Sequence, residues 1–438
     1  MKTRPNLKNF FYLLGSGLTI QLIGTVYRIW LARRIGAEGL GIFSMTYPVY
    51  RLLSSIATIG LPLAMTKWVA EYQTAGEYRS IGALKNWSVQ IVLYTSVISA
   101  MLLLVSAPFL SHHLFSEPRV EEALTIVAWA IPFSALSAIL RGYYQGFSLM
   151  GPTAISEVTE QIAEVGTTLF GLSFLITVFP FASYSYPIIG LTCGEIACLA
   201  TLWCFIKQPH SGLIPETAAD VPIPRMELLS YAWPLLVNQI VISVSNASEG
   251  VLIPRLLIQA GHSVSQSTQY LGYLNGMAAS VAYFPLILLF PLGSVLSPQI
   301  SSGFKAGPFK PLRSKVRRFY LVVTVISSVC FGILLFNAPF ISQQLYQSAT
   351  PSPLIKILVS GMPFCALTIL NFSILAAIGA TDKILTISLW STGLKTALLF
   401  MTGYFGINGA AWAMVITQIF TALTSMLELR PFFTKLDA

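Results

Sequence analysis

Two arginines stand inside long apolar runs, and they are where this sequence can do chemistry. Arg28 lies in the outer half of the first run, and Arg51 lies about eleven residues into the second. At 1.5 Å per residue the latter is about 16 Å deep, where a lone cation costs several kcal/mol unless water or an anion meets it. The chemistry indicated is a wet, positively charged cavity in which water or an anion meets a guanidinium fork. The competing readings are structural. Arg28 could snorkel to headgroups beside Arg33 and Arg34, and Arg51 could pair with an acid on a neighbouring helix.

Further charges recur in the same setting. Glu157, Glu160 and Glu164 follow i, i+3, i+7 spacing and share a helix face. Glu164 matches Lys395 at an offset of 231 residues, which suggests a bridge, a coupling Na⁺ or H⁺ site, or two separately solvated charges. Glu195 is isolated and reads as a hydrogen-bonded core residue. Glu249, with Asn246 and Asn238, forms a polar stripe that ends near Arg255, and its expected partner is Arg28, in a pair that could open and close as an outer gate. Arg33 and Arg255 match at an offset of 222 and are expected at the outer mouth. No catalytic constellation accompanies these groups. His112, His113, His210 and His262 are scattered, and no acid-rich metal motif or phosphate-binding glycine loop is present. Cys193, Cys198, Cys204, Cys330 and Cys365 lie in apolar runs and read as packing residues. The expectation is a protein that is not an enzyme and carries no cofactor or metal.

What must position these residues is a set of membrane helices. The 438 residues are 55% apolar and only 10% charged, with mean hydropathy +0.71, which excludes an ordinary soluble domain. Twelve stretches are long enough to span a bilayer: 9–32, 40–67, 84–111, 121–145, 154–179, 186–206, 229–257, 269–300, 315–343, 354–379, 384–404 and 407–429. The basic, apolar start has no small-residue cleavage site and reads as the first span. Of the 26 Lys and Arg residues, eighteen fall on the termini and even-numbered loops and five on the odd-numbered loops. That bias places both termini in the cytoplasm and makes the net charge of +9 a matter of topology rather than of nucleic-acid binding.

The chain also repeats itself. Ile131–Leu136 matches Met362–Leu367, and Leu40-Gly41 matches Leu271-Gly272, both at 231 residues, while Leu61–Leu63 resembles Phe290–Leu292 at 229. A repeat of six spans enters the membrane in the same direction twice, so its pseudo-symmetry axis follows the membrane normal. The expected fold is therefore an all-α integral membrane protein of about twelve transmembrane helices in two six-helix pseudo-symmetric lobes around a central cavity. The lobes are expected at 1–206 and 227–438, joined by a cytoplasmic linker at 207–226, in a monomer that rocks between inward-open and outward-open states. Pro62 with Gly60, and Pro291 with Gly293, are expected kinks where the lobes bend.

Particular motifs resemble a known family. Tyr27-Arg28-Ile29, Leu31–Gly39, Tyr47-Pro48, Gly60-Leu61-Pro62, Val69-Ala70-Glu71 and Pro254-Arg255-Leu256 resemble the stage V sporulation protein B branch of the polysaccharide exporters. That branch belongs to a superfamily with the lipid-linked oligosaccharide flippases and the multidrug and toxin extrusion proteins. The resemblance implies export of an undecaprenyl-diphosphate-linked saccharide across the bacterial cytoplasmic membrane, with Arg51 in the place of a cavity arginine that holds the diphosphate. Many members of the branch have fourteen spans where twelve are read here, so the resemblance supplies no route for the lipid tail. The alternative is a cation-coupled drug exporter of the same superfamily, which requires acids rather than arginines to dominate the cavity.

Overall fold

The structure, a computed structural model, describes residues 7–177, 181–206, 225–289, 300 and 309–437. Every regular element among them is helical, and no strand occurs among the described residues. The first element, α1 (Leu7–Thr58), runs 52 residues, about 78 Å, more than twice the hydrocarbon thickness. It holds two spans joined at Gly36, whose φ of 70° with ψ of −178° only glycine adopts readily. The second span then ends at Ile59 and Gly60, both left-handed (φ 51° and 69°), and Pro62 opens α2 (Leu61–Ala75). A β-branched residue at positive φ is strained, so the break at Pro62 is a built joint. Pro291 and Gly293 lie outside the described residues.

Downstream come α3 (Tyr78–Phe109), α4 (Val120–Ala128), α5 (Ala130–Gly146), α6 (Met150–Ser173), α7 (Ser185–Ile206) and α8 (Arg225–Gln259). Next are α9 (Val264–Leu271), a π-helical stretch at Gly272–Ala278, and α10 (Ala279–Ala282). The rest is α11 (Phe309–Tyr346), α12 (Ser352–Ala377), α13 (Thr381–Leu399), α14 (Thr402–Phe405), α15 (Ile407–Glu428) and α16 (Arg430–Asp437). Among the described residues eight helices are long and apolar enough to cross a membrane, and the pair α4 and α5, bent by 42°, makes a ninth span. Gly15–Ala75 counts once there but contains two spans, and α6 is excluded from that count by its three glutamates. The eighth expected span begins in α9 and the π-helical stretch after it, and its last part lies outside the described residues; the other eleven expected spans fall on described helices.

The chain forms two compact units, Met1–Tyr27 with Met45–Ala247, and Arg28–Ser44 with Ser248–Ala438. The expected linker at 207–226 lies almost wholly outside the described residues. The observed units depart from a simple cut there: Arg28–Ser44 goes with the second half, and residues 225–247 go with the first. Backbone contact explains the first exchange. A Cβ on Gly272 would stand 1.7 Å from the Ala37 carbonyl oxygen, and one on Gly41 would stand 2.0 Å from that of Thr268. The second unit is cored by Met362, Leu370, Ile374, Leu375 and Val323, with Phe432 of α16 packed against them.

Candidate functional site

Both halves of α1 carry the dipeptide Tyr-Arg, at Tyr27-Arg28 and Tyr50-Arg51. Successive residues on a helix point about 100° apart, so when one is anchored inward the next is turned away. The tyrosines are buried. Tyr27 Oη donates to Thr168 Oγ1 at 3.0 Å, and Tyr50 Oη donates to Glu195 Oε1 at 2.6 Å. Arg28 and Arg51 are exposed, and neither forms an ion pair among the described residues.

Several other charges at this depth have internal partners. In the first unit, Glu195 is 8% exposed and accepts the Tyr50 hydroxyl. Arg141 of α5 pairs with Glu160 of α6 and also reaches Cys198 Sγ at 2.9 Å and Ser156 Oγ at 3.4 Å. In the second unit, Lys395 Nζ of α13 donates to Glu249 Oε1 of α8 at 2.8 Å, while the other carboxylate oxygen accepts Asn275 Nδ2 at 2.9 Å. Gln418 Nε2 donates to Tyr283 Oη at 2.6 Å, adding a neutral pair to the same interior.

Several sequence expectations are thereby relocated. Glu249 pairs with Lys395, not with Arg28: both belong to the same unit, but it is the Lys395 ammonium that packing brings to the buried carboxylate. That pairing also removes Lys395 as a partner for Glu164, which is half-buried and whose carbonyl accepts the Thr168 hydroxyl at 2.8 Å. Arg33 is exposed but occupied: its Nε donates to the Leu345 carbonyl at 2.6 Å and its other end to that of Gln344, capping the C-terminus of α11. Arg255 and Asn246 are exposed. Arg141, one of the eighteen basic residues assigned above to termini and even-numbered loops, belongs to a half-buried pair. Its signal was Glu160, which is polar at membrane depth and needs a cation. The repeated Tyr-Arg dipeptide was a second signal that sequence reasoning missed. No group of three or more His, Cys, Asp or Glu among the described residues is arranged to hold a metal.

The chain matches the polysaccharide biosynthesis protein family over residues 6–304. It is 25% identical to stage V sporulation protein B of Bacillus subtilis (strain 168), over 97% of this chain and 83% of that protein. It is 26% identical to the lipid II flippase MurJ of the same organism, over 75% of this chain and 64% of that one, just under two thirds of the flippase's length. An inward-facing multidrug resistance MATE family transporter of the MOP superfamily superposes with a TM-score of 0.80 at 12% identity, over 97% of this chain and 99% of the transporter. A MOP superfamily transporter from Pyrococcus furiosus, described by a binding pocket of reverse polarity, superposes at 0.71 with 12% identity, over 98% of this chain and 96% of that one. These likenesses agree with the all-helical, twelve-span, two-lobed plan and with a membrane exporter rather than an enzyme. The chain therefore belongs to the polysaccharide biosynthesis protein family.

Proposed function

We propose that this protein is a flippase that carries an anionic, diphosphate-linked saccharide lipid from the inner to the outer leaflet of the bacterial cytoplasmic membrane, with both termini in the cytoplasm. The observation that carries this reading is the sorting of charge at membrane depth. Glu160, Glu249, Lys395 and Arg141 are taken up in internal pairs, while Arg28 and Arg51 stay exposed. A cation at the bilayer centre costs about 2.5–3.5 kcal/mol on insertion scales, so two exposed guanidinium groups are tolerated only where water or an anion reaches them. A diphosphate offers paired oxygens to a guanidinium fork and carries about two negative charges. Those charges supply the drive. Moving outward to the positive side releases about 2.3 kcal/mol per charge per 100 mV, so no nucleotide is needed.

The names of the relatives point the same way, one being a lipid II flippase and another a sporulation protein. The drug-exporter alternative is disfavoured by the burial of Glu249 and Glu195, at 7% and 8% exposure, which withdraws these two acids from an organic cation. The test is a flipping assay in proteoliposomes with fluorescent undecaprenyl diphosphate. Arg51→Ala should slow transport at least about tenfold, the loss of about 1.4 kcal/mol or more of binding to the charged group. Arg28→Ala should have a smaller effect, Arg51→Lys should keep part of the activity, and collapsing the membrane potential should slow the parent. Parental rates in both alanine variants would sink this function.

A further inference from the structure

Among the described candidate spans, α11 has the least of its surface inside the protein: 11% of its apolar window is buried, against 22% to 44% for the others. Its two sides differ. Val316, Tyr320 and Val323, at i, i+4, i+7, pack into the core of the second unit, and Phe433 of α16 meets the Tyr320 ring at 5.9 Å on that side. The other side is a stripe of exposed apolar residues, Val322, Val325, Val329 and Phe336. Arg318 heads this stripe, four residues before Val322 and seven before Val325; Arg317 precedes the exposed Leu321 by one turn, and Lys315 precedes Val322 by two. All three basic side chains are exposed. They stand where the lipid-facing surface of the helix begins, not over the core. The first repeat shows that the fold does not require this basic collar. Helices α3 and α11 start at Tyr78 and Phe309 and contain Pro108 and Pro339, each pair 231 residues apart. At that offset Lys315, Arg317 and Arg318 correspond to Leu84, Asn86 and Trp87. The sequence has no Asp or Glu between Glu249 and Asp382, and Glu428 at the end of α15 is taken by Lys383 at 2.9 Å.

We propose that Lys315, Arg317 and Arg318 form a binding site for the headgroups of anionic phospholipids, those of the inner leaflet on the topology expected from the basic bias. A lipid is favoured over a soluble anion by geometry. The phosphate of a phospholipid sits directly above its acyl chains, and these cations sit directly above an acyl-facing stripe of their own helix. The methylene stems of Lys and Arg lie along apolar surface while their charged ends reach the headgroup layer, where a guanidinium fork takes phosphate oxygens in pairs. A net negative headgroup gains over a zwitterionic one by about fivefold in affinity for each basic residue near the surface. Basic bias by itself sets orientation and is indifferent to which side of a helix carries the charge. It is the alignment of the cations with the lipid-facing stripe that points to a headgroup. The site uses neither Arg28 nor Arg51, so it stands whether or not the flippase reading does.

The test uses the full chain with its five native cysteines replaced and a fluorophore on Val322→Cys, in phosphatidylcholine nanodiscs at low salt. Energy transfer to trace acyl-labelled phosphatidylglycerol should report a local concentration at least about fivefold above that of equally labelled phosphatidylcholine, and the excess should shrink as salt is added. Lys315→Gln/Arg317→Gln/Arg318→Gln should bring the two lipids to parity. Arg317→Lys/Arg318→Lys should keep most of the preference, and Arg79→Gln, at the start of α3, should leave it unchanged. Equal transfer to both lipids in the parent, or a preference that survives the triple substitution, overturns the proposal. So does a preference for fluorescent undecaprenyl diphosphate without one for phosphatidylglycerol, which would make the collar a substrate contact. The comparison of lipids in the parent needs no substitution in the collar, so it decides the matter even if the triple variant fails to fold.

Discussion

The two repeats share a backbone plan but fill it with different polar chemistry. In the first, Arg141 and Glu160 pair while each side chain stays about a quarter exposed (23% and 28%), and Glu195 is held by a tyrosine. In the second, Lys395 and Glu249 are almost fully enclosed (10% and 9%), with Asn275 completing the carboxylate. At the offsets that match their neighbourhoods, 222 for Arg28 and 231 for Arg51, the second repeat carries Gly250 and Ala282, so it has no counterpart of either exposed cation. The difference teaches what duplication must keep. A glycine under a carbonyl admits no other side chain, so Gly41 and Gly272 persist as a matched pair. A charge can move between helices as long as its partner moves with it, so polar groups diverge.

The sharpest way to break this comparison is to unpair the more enclosed charge. Glu249→Leu leaves Lys395 buried without its carboxylate and should cost about 3–5 kcal/mol in a denaturant titration in mixed micelles, with most of it recovered in Glu249→Leu/Lys395→Leu. Arg141→Leu should cost less, since Glu160 is less enclosed (28% exposed); the opposite order would reverse the contrast drawn between the units. Next in size, Tyr50→Phe removes a donor to the Glu195 carboxylate and should cost about 1.5–3 kcal/mol by the same titration. Tyr27→Phe removes only a neutral hydroxyl contact and should cost about 0.5–1.5 kcal/mol, so equal losses for the two tyrosines would argue that Glu195 is not ionised. The smallest effect is expected at Arg33→Ala, which uncaps the C-terminus of α11 and should cost about 0.3–1 kcal/mol, a loss that shrinks as salt is added.

Much of the architecture was legible because membrane solvation writes it into composition. Runs of apolar residues give the spans, and the 231-residue offset gives the duplication without any side-chain detail. The candidate arginines were legible for the same reason, since a cation in an apolar run is conspicuous. Pairing was not. Glu249 had two cations on offer, Arg28 and Lys395, and spacing along the chain does not say which one shares its pocket. Arg141 read as an ordinary basic loop residue, because its partner Glu160 is nineteen residues away on another helix.

By itself, then, the sequence determined that the chain crosses a membrane about twelve times, that it is built twice over, and that two guanidinium groups lie at depth where an anion is their natural company. Those conclusions depend on transfer free energies of single segments, which are local properties. The tertiary structure alone decided which charges cancel one another, and that the repeat closes on itself at Gly41 and Gly272. Both depend on which helices come within a few ångströms, a consequence of packing that no single segment carries.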